Sequence, residues 1–169
     1  RACRDVRKVA GDAMEIRGGL GYIEDWLDPK ILRDSHLGSI WEGTSNIISL
    51  DTIRALKKDN NIHIFKNFLI DSVKNNSIKK HEKYLLSAIE KVFNFIESEI
   101  KDDFTSSSRQ ITSSLYYLSS AIFLIKEGNY CEDLSYRTKI SELILKYKID
   151  KNSPITRDDI DFALIKELI

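Results

Sequence analysis

The sequence predicts an all-α protein in which antiparallel helices pack as a bundle, and three observations support this fold class. Apolar residues recur at steps of three and four from Ile62 to Leu168, the spacing that places them on one face of a helix. The chain contains only two Pro and seven Gly in 169 residues, too few for the many turns of a β-sandwich. Its apolar runs stop far short of the roughly 18 residues that a membrane-spanning helix needs, so no transmembrane helix is expected.

The apolar spacing divides the chain into a series of predicted helices. They cover residues 1–17, 47–56, 62–73, 81–101, 111–125, 140–147 and 160–168. The first begins without an N-cap signal, whereas Thr44 or Ser45 is expected to cap the second. Gly128 is expected to end the fifth helix, and hydroxyl residues at 105–108 together with the stretch 152–154 (NSP) supply the remaining breaks and caps.

The composition changes near the polar stretch at 57–61 (KKDNN), which is typical of a linker or a helix end. Six of the seven Gly and both Trp lie within the first 43 residues, whereas all seven Phe follow residue 56. We therefore expect two units, 1–57 and 61–169, that pack as distinguishable bodies. The second unit is expected to form its own core from Leu86, Val92, Phe93, Leu115, Leu118, Ile122, Leu143 and Ile144.

Composition also argues against several classes of function. The 26 basic and 26 acidic side chains balance, so neither nucleic acid nor an anionic membrane is an expected partner. The three His form no cluster with metal-ligand spacing, and no metal site is expected. Cys3 and Cys131 have neither zinc nor redox spacing and predict reduced thiols in a reducing intracellular compartment, the cytoplasm or the mitochondrial matrix. Because the chain starts within a helical pattern, we expect it to be a piece of a longer protein.

A glycine-rich turn follows the first predicted helix at residues 17–22 (RGGLGY). Glycine permits positive φ and lets bare backbone N–H groups approach a ligand, as in anion-binding nests. On its own the pattern favours a helix C-cap and tight turn over a phosphate-binding loop. No predicted strand precedes the turn, which excludes the dinucleotide fingerprint of parallel α/β proteins. In the assembled full-length protein, we expect Gly19 to lie at a close backbone approach that a larger side chain would crowd.

A second motif, at residues 39–47 (SIWEGTSNI), leads into the second predicted helix. Glu42 lies between Trp41 and Gly43, just before the helix N-terminus. One interpretation is an exposed carboxylate that the helix dipole stabilises. The other is a general base, because burial beside an aromatic ring raises the pKa of a carboxylate toward the operating pH.

Together the two motifs resemble the acyl-CoA dehydrogenase family. The matching stretches are 13–22 (AMEIRGGLGY), Pro29 with 32–34 (LRD), and 40–47 (IWEGTSNI), in the family's order and spacing. The segment 50–56 (LDTIRAL) is most similar to the branch related to bacterial alkylation-response proteins. That branch carries additional C-terminal helices, which would account for residues 61–169. The resemblance covers residues 1–57 and implies the C-terminal part of a catalytic helical bundle followed by a helical extension.

The resemblance implies an FAD-dependent enzyme that oxidises the Cα–Cβ bond of an acyl-CoA thioester as a homo-oligomer, a dimer or a tetramer. Glu42 is the implied base, which removes the α-proton while the β-hydrogen leaves as hydride to the flavin. Trp41 and Gly43 are implied to contact the substrate. The implied FAD contacts are Thr44 and Asn46 within one subunit, and Glu15, Gly18 and Gly19 toward the FAD of the neighbouring subunit. Glu15 stands where the family often has Gln, and Arg17 where an apolar residue is usual.

Two alternatives stay open from the sequence. One is a flavoprotein of the alkylation-response kind whose rear helices associate with DNA or another partner, and the other is a truncated, non-catalytic helical bundle. The acidic residues mixed among the Lys of 61–169 favour the enzyme, because a DNA-binding extension should carry a basic stripe. The 169 residues lack the domains with which the family binds most of FAD and the acyl-CoA, so this chain by itself is expected to be inactive.

Overall fold

The computed structural model describes residues 1–41, 43–76, 79–101, 107–131 and 134–150. Every regular element within these ranges is helical, which confirms the all-α prediction. The chain divides into two compact units, Arg1–Arg54 and Ala55–Ile169. None of the helices in the described ranges has the length and apolar character that crossing a membrane requires.

The helices follow the predicted order with changes at their ends. They are α1 (Ala2–Ile16), α2 (Gly19–Tyr22), α3 (Asp28–Leu37), α4 (Ser45–Lys57), α5 (Asn61–Asn76), α6 (Lys79–Lys101), α7 (Ser108–Tyr130), α8 (Leu134–Ile144) and a π-helical turn (Leu145–Ile149) that continues α8. The two short helices α2 and α3 add to the predicted set. The prediction that Gly128 ends α7 is wrong, because Gly128 lies on the buried face and the helix continues past it. The predicted helix over 160–168 and the break at 152–154 lie outside the described residues.

In the first unit, α1 packs on α3, and the single turn of α2 contacts both helices. A Cβ atom built on Gly38, just after α3, would lie 3.2 Å from the sulfur of Cys3 near the start of α1. At the other end, the Arg17 guanidinium lies 2.9 Å from the Asp28 carboxylate at the start of α3. The two helices therefore run antiparallel.

A short polar turn joins α4 to α5 within the predicted polar stretch. Asp59 and Asn60 adopt positive φ angles of 49° and 63°, the left-handed conformation that Asp and Asn tolerate better than most residues. The Asn61 side-chain amide donates a hydrogen bond of 2.8 Å to the backbone carbonyl of Ala55, which satisfies a carbonyl near the end of α4. The backbone conformation of this turn therefore favours Asp and Asn at positions 59 and 60.

The second unit is built around a closed apolar core. α7 contacts α5, α6 and α8, and the π-helical turn packs on α7. The largest fully buried apolar side chains are Leu69, Val73, Leu85, Ile89, Phe93, Ile96, Ile111, Leu118, Ile122 and Leu145. Helices α5, α6 and α7 contribute all but one of these residues, at intervals of one or two helical turns, so their apolar faces meet inside the bundle.

Most of the predicted core residues of this unit are buried. The buried ones are Val92, Phe93, Leu115, Leu118 and Ile122. Leu86, Leu143 and Ile144 are only partly buried, and Leu85 and Leu145 take the inner positions instead. One step along a helix rotates a side chain by about 100°, so an adjacent apolar residue can point into the core in place of the predicted one.

Polar contacts connect α8 and the π-helical turn to neighbouring helices. The buried Ser141 hydroxyl donates to the carbonyl of Ala121 on α7 at 2.8 Å. Asp150, just after the π-helical turn, accepts hydrogen bonds from the Tyr84 hydroxyl at 2.5 Å and the Lys91 ammonium group at 2.8 Å, both on α6. Partial burial raises the pKa of Asp150, but the hydrogen bonds from Lys91 and Tyr84 lower it more, so the pKa lies below its ordinary value.

Candidate functional site

The glycine turn forms where α1 ends. Gly18 has φ 60° and ψ −142°, a conformation that favours glycine. Its N–H donates to the carbonyl of Glu15 at 2.9 Å, and its carbonyl accepts from Gly21 at 3.0 Å. The turn therefore caps α1 and starts the single turn of α2, as the helix C-cap interpretation predicts.

The close backbone approach in this turn lies at Gly21, which the sequence did not single out. A Cβ atom at Gly21 would lie 2.2 Å from the carbonyl oxygen of Met14, a contact that no side chain can make. At Gly18 and Gly19 a built Cβ meets no atom within 4 Å. The expectation of crowding at Gly19 concerns the assembled protein with its cofactor and stays a prediction. Gly18 and Gly19 present open backbone at the surface.

The Arg17 side chain turns toward the start of α3. Its guanidinium lies 2.9 Å from an Asp28 carboxylate oxygen and 5.0 Å from the centre of the Trp26 ring. Such a position over a ring is typical of a cation–π contact. Neither partner stood out in the sequence, because pattern reading does not reveal a pairing across an eleven-residue separation.

The second motif lies between α3 and α4. Trp41 is 77% exposed, and Gly43 has φ 113°, a conformation that L side chains rarely adopt. The Thr44 carbonyl accepts the Ile48 N–H at 3.1 Å, which makes Thr44 the N-cap residue of α4. Glu42, the predicted base, lies outside the described residues.

The predicted contact residues form two groups and not one pocket. Glu15, Gly18 and Gly19 are exposed together at the C-terminal end of α1. Trp41, Gly43, Thr44 and Asn46 follow Gly38, which lies beside Cys3 at the N-terminal end of the same helix. The helix segment between Cys3 and Ile16 is about 20 Å long at 1.5 Å per residue. The two groups are thus anchored at opposite ends of α1.

The first unit also exposes a large apolar surface. Its exposed large apolar side chains are Val6, Val9, Ile16, Leu20, Tyr22, Ile23, Trp26, Leu27, Ile31, Leu37, Ile40, Trp41, Ile47 and Ile48. Contiguous exposed apolar side chains mark surfaces that other protein elements or ligands cover. The unit therefore has the composition of one layer of a larger assembly.

Comparison with known proteins supports the resemblance of the first unit. Residues 1–57 match the family described as "Acyl-CoA dehydrogenase, C-terminal domain". This stretch is therefore similar to the C-terminal portion of acyl-CoA dehydrogenases, which confirms the resemblance that the two motifs predict.

Several relatives are similar over longer or shorter stretches. AidB of Escherichia coli is 27% identical over 125 residues, which cover 73% of this chain and 21% of AidB. Acyl-CoA dehydrogenase family member 11 of Caenorhabditis elegans is 35% identical over 75 residues, or 44% of this chain and 12% of that protein. The mitochondrial isobutyryl-CoA dehydrogenase of Dictyostelium discoideum is 36% identical over 58 residues, or 34% and 14%. The chain thus spans about a fifth or less of the length of these relatives. No solved structure matches the chain significantly.

The similarity to AidB also involves the second unit. It spans 125 residues, more than twice the length of the matched family domain, so it must include a large part of residues 58–169. The sequence similarity to AidB therefore extends past the matched family domain into the second unit.

Proposed function

We propose that this chain is the C-terminal portion of an FAD-dependent acyl-CoA dehydrogenase-like oxidoreductase that acts on an acyl-CoA thioester as a homo-oligomer. The match of residues 1–57 to the family supports the enzyme class. The observation that carries the proposal furthest is geometric. The glycine turn follows the C-terminal end of α1, and Gly38, just before the motif 39–47, lies beside its N-terminal end, about 20 Å away. The resemblance assigns the two motifs to FAD molecules of different subunits, and this separation is compatible with that assignment.

The residues present fit FAD at both ends of α1. An added Cβ at Gly18 or Gly19 meets nothing within 4 Å, so a flat cofactor ring or ribose can approach this backbone closely. The exposed carboxylate of Glu15 suits hydroxyl or amino groups of the cofactor and repels its phosphates. Thr44 and Asn46 are exposed at the start of α4 and offer hydroxyl and amide groups to the second FAD. When bound, FAD supplies the acceptor for the β-hydride.

Glu42 is the proposed base, and it takes the substrate α-proton onto a carboxylate oxygen. The assignment rests on the family motif and on the described neighbours of Glu42. Trp41 presents an exposed aromatic ring to the acyl chain, and Gly43 places no side chain beside the base. Enclosure by substrate and cofactor would remove water from the carboxylate and raise its pKa toward the operating pH.

The exposed apolar side chains of the first unit support assembly with further protein. We assign this surface to the missing domains of the complete enzyme and to a second copy of the chain. We assign residues 61–169 to the helical extension of the AidB-like branch, because the similarity to AidB continues past the matched family domain.

Mixed oligomers of the complete enzyme test the two-subunit arrangement. Glu42→Gln removes the base from its own site, whereas Gly19→Val obstructs the FAD of the neighbouring subunit. Each variant alone is expected to be inactive. A one-to-one mixture of the two is expected to regain about a quarter of the wild-type activity, because half of randomly assembled dimers are hybrids with one intact site.

The matched control pairs Glu42→Gln with Thr44→Val, two changes on the same end of α1. Each hybrid of this pair has a defect in both sites, so no activity should return. Failure of the Glu42→Gln and Gly19→Val mixture to regain activity, with FAD bound to wild type, would show that both motifs serve one site. Absence of FAD from the wild-type protein would overturn the cofactor assignment itself.

A further inference from the structure

Arg17 connects the two ends of the segment that contains the glycine turn. It is the residue after the last residue of α1, and its side chain reaches across to Trp26 and Asp28, where α3 begins. The ion pair to Asp28 therefore closes a twelve-residue loop that contains Gly18, Gly19 and the whole of α2. No other described ion pair of this unit connects the two ends of that loop.

The turn needs such a closure, because little else orders its outer part. Gly18 and Gly19 have no side chains, and a built Cβ at either meets no atom within 4 Å. A helix of four residues such as α2 is marginal by itself, since the first turn of a helix is costly to form. The close packing of Gly21 on Met14 holds the inner side of the turn only.

The ion pair between Arg17 and Asp28 is partly shielded from water. The Asp28 side chain is only 15% exposed and that of Arg17 is 42% exposed, so water screens this pair less than the fully open pairs of the unit. The Arg17 guanidinium forms an ion pair with Asp28 and also lies over the Trp26 ring. A Lys ammonium group would stack on the ring less well.

We propose that Arg17, with Asp28 and Trp26, is a positioning residue that holds the Gly18–Gly19 turn in the conformation that contacts FAD. The inference rests on the proposed function, in which these glycines face the cofactor of the neighbouring subunit. Arg17 stands where an apolar residue is usual, and in this chain the guanidinium fixes the turn through α3.

Three variants of the complete enzyme test the role of Arg17. Arg17→Gln removes the charge and is expected to speed FAD release about fivefold, the upper range for losing one ion pair. Arg17→Lys keeps the charge but loses the planar stacking group, so its release rate should lie between those of Arg17→Gln and wild type. Asp28→Asn keeps the side-chain shape and should also release FAD faster than wild type.

The control is Lys8→Gln. Lys8 forms an exposed ion pair with Asp12 at 2.5 Å, and both residues lie on α1 outside the loop of residues 17–28. Its loss should leave FAD release unchanged. The second readout is hydrogen exchange of the backbone amides of residues 18–22, which should speed up in Arg17→Gln and not in Lys8→Gln.

The outcomes separate this inference from the proposed function. Wild-type FAD release and wild-type amide exchange in folded Arg17→Gln would overturn the positioning role, and so would an equal effect of Lys8→Gln. If Arg17→Gln does not fold, Arg17→Lys and Asp28→Asn decide by the same two readouts. A wild-type protein that binds no FAD would overturn the proposed function, and hydrogen exchange would still decide whether Arg17 holds the turn.

Discussion

The two units of this chain treat their apolar side chains in opposite ways. In the second unit, side chains such as Phe93, Ile89 and Leu118 are fully enclosed by helices of the same unit. In the first unit, Trp41, Ile16 and Leu27 are among many large side chains left at the surface. Among the described residues, fourteen large apolar side chains are exposed in the first unit and six in the second, so the unit that carries the chemical motifs has the more apolar surface.

This difference shows where function and stability are located along the chain. The first unit contains glycines with positive φ, exposed aromatic rings and the family match, the features on which the proposed function rests. The second unit contains ordinary amphipathic helices whose contacts are internal. Substitutions in the first unit should thus change activity more than folding, and substitutions in the second unit should do the reverse.

The largest expected effect is on catalysis by the first unit. Glu42→Gln in the complete enzyme should slow reduction of the flavin by an acyl-CoA by about 10²–10⁴-fold, the usual cost of losing a general base. FAD content should not change, because the side chain faces the substrate. Anaerobic bleaching of the flavin measures the rate. Glu24→Gln, which alters an exposed ion pair, is the control, and an unchanged rate in Glu42→Gln would identify the carboxylate as a capping residue.

The converse effect is expected in the second unit. Phe93→Ala empties a fully buried position and should lower the free energy of unfolding of this chain by about 3–5 kcal/mol. Trp41→Ala removes an even larger ring that is 77% exposed, and should change the same quantity by less than about 1 kcal/mol. Urea unfolding followed by circular dichroism measures both. Equal losses of stability would contradict the distinction between the two units.

Two glycines of the glycine turn, Gly19 and Gly21, are expected to differ in how much a substitution destabilises the first unit. Gly21→Ala places a Cβ against the carbonyl oxygen of Met14 and should destabilise the first unit by roughly 1–3 kcal/mol, as overpacking does. Gly19→Ala meets no atom within 4 Å and should leave folding unchanged. Thermal unfolding of the two variants provides the test. A stable Gly21→Ala protein would show that α2 can move away from α1.

Helical periodicity is sufficient to predict most of this fold, because the stripes of the second unit depend on local spacing alone. The two motifs likewise predict the residues of the candidate site, because each motif is a contiguous stretch of sequence. What the sequence does not reveal depends on contacts between distant residues. The pairing of Arg17 with Asp28 and the packing of Gly21 on Met14 exist only after α1, α2 and α3 have folded together. For the same reason the sequence alone could not predict that Leu145, and not Ile144, points into the core.

The smallest expected effect concerns the polar contact that fixes the end of the π-helical turn. Asp150 accepts hydrogen bonds from Tyr84 and Lys91 in the folded chain, and the pKa of Asp150 is lower there than its ordinary value. A carboxylate with a lowered folded-state pKa contributes stability above its unfolded pKa, and that contribution is lost as the pH falls through the folded-state value. Asp150→Asn should therefore cost about 1 kcal/mol near pH 6, because the site is partly exposed to water, and much less near pH 3.

Urea unfolding at the two pH values measures this difference. Asp71→Asn, a change at an exposed position on α5, should have the same small effect at both. Because burial opposes the two hydrogen bonds in setting the pKa of Asp150, the sign of the pH dependence reports which of them is stronger. A cost that grows as the pH falls would mean that burial dominates and that the contact to α6 does not stabilise the second unit. A cost that shrinks would place Asp150 among the internal contacts that make this unit complete by itself.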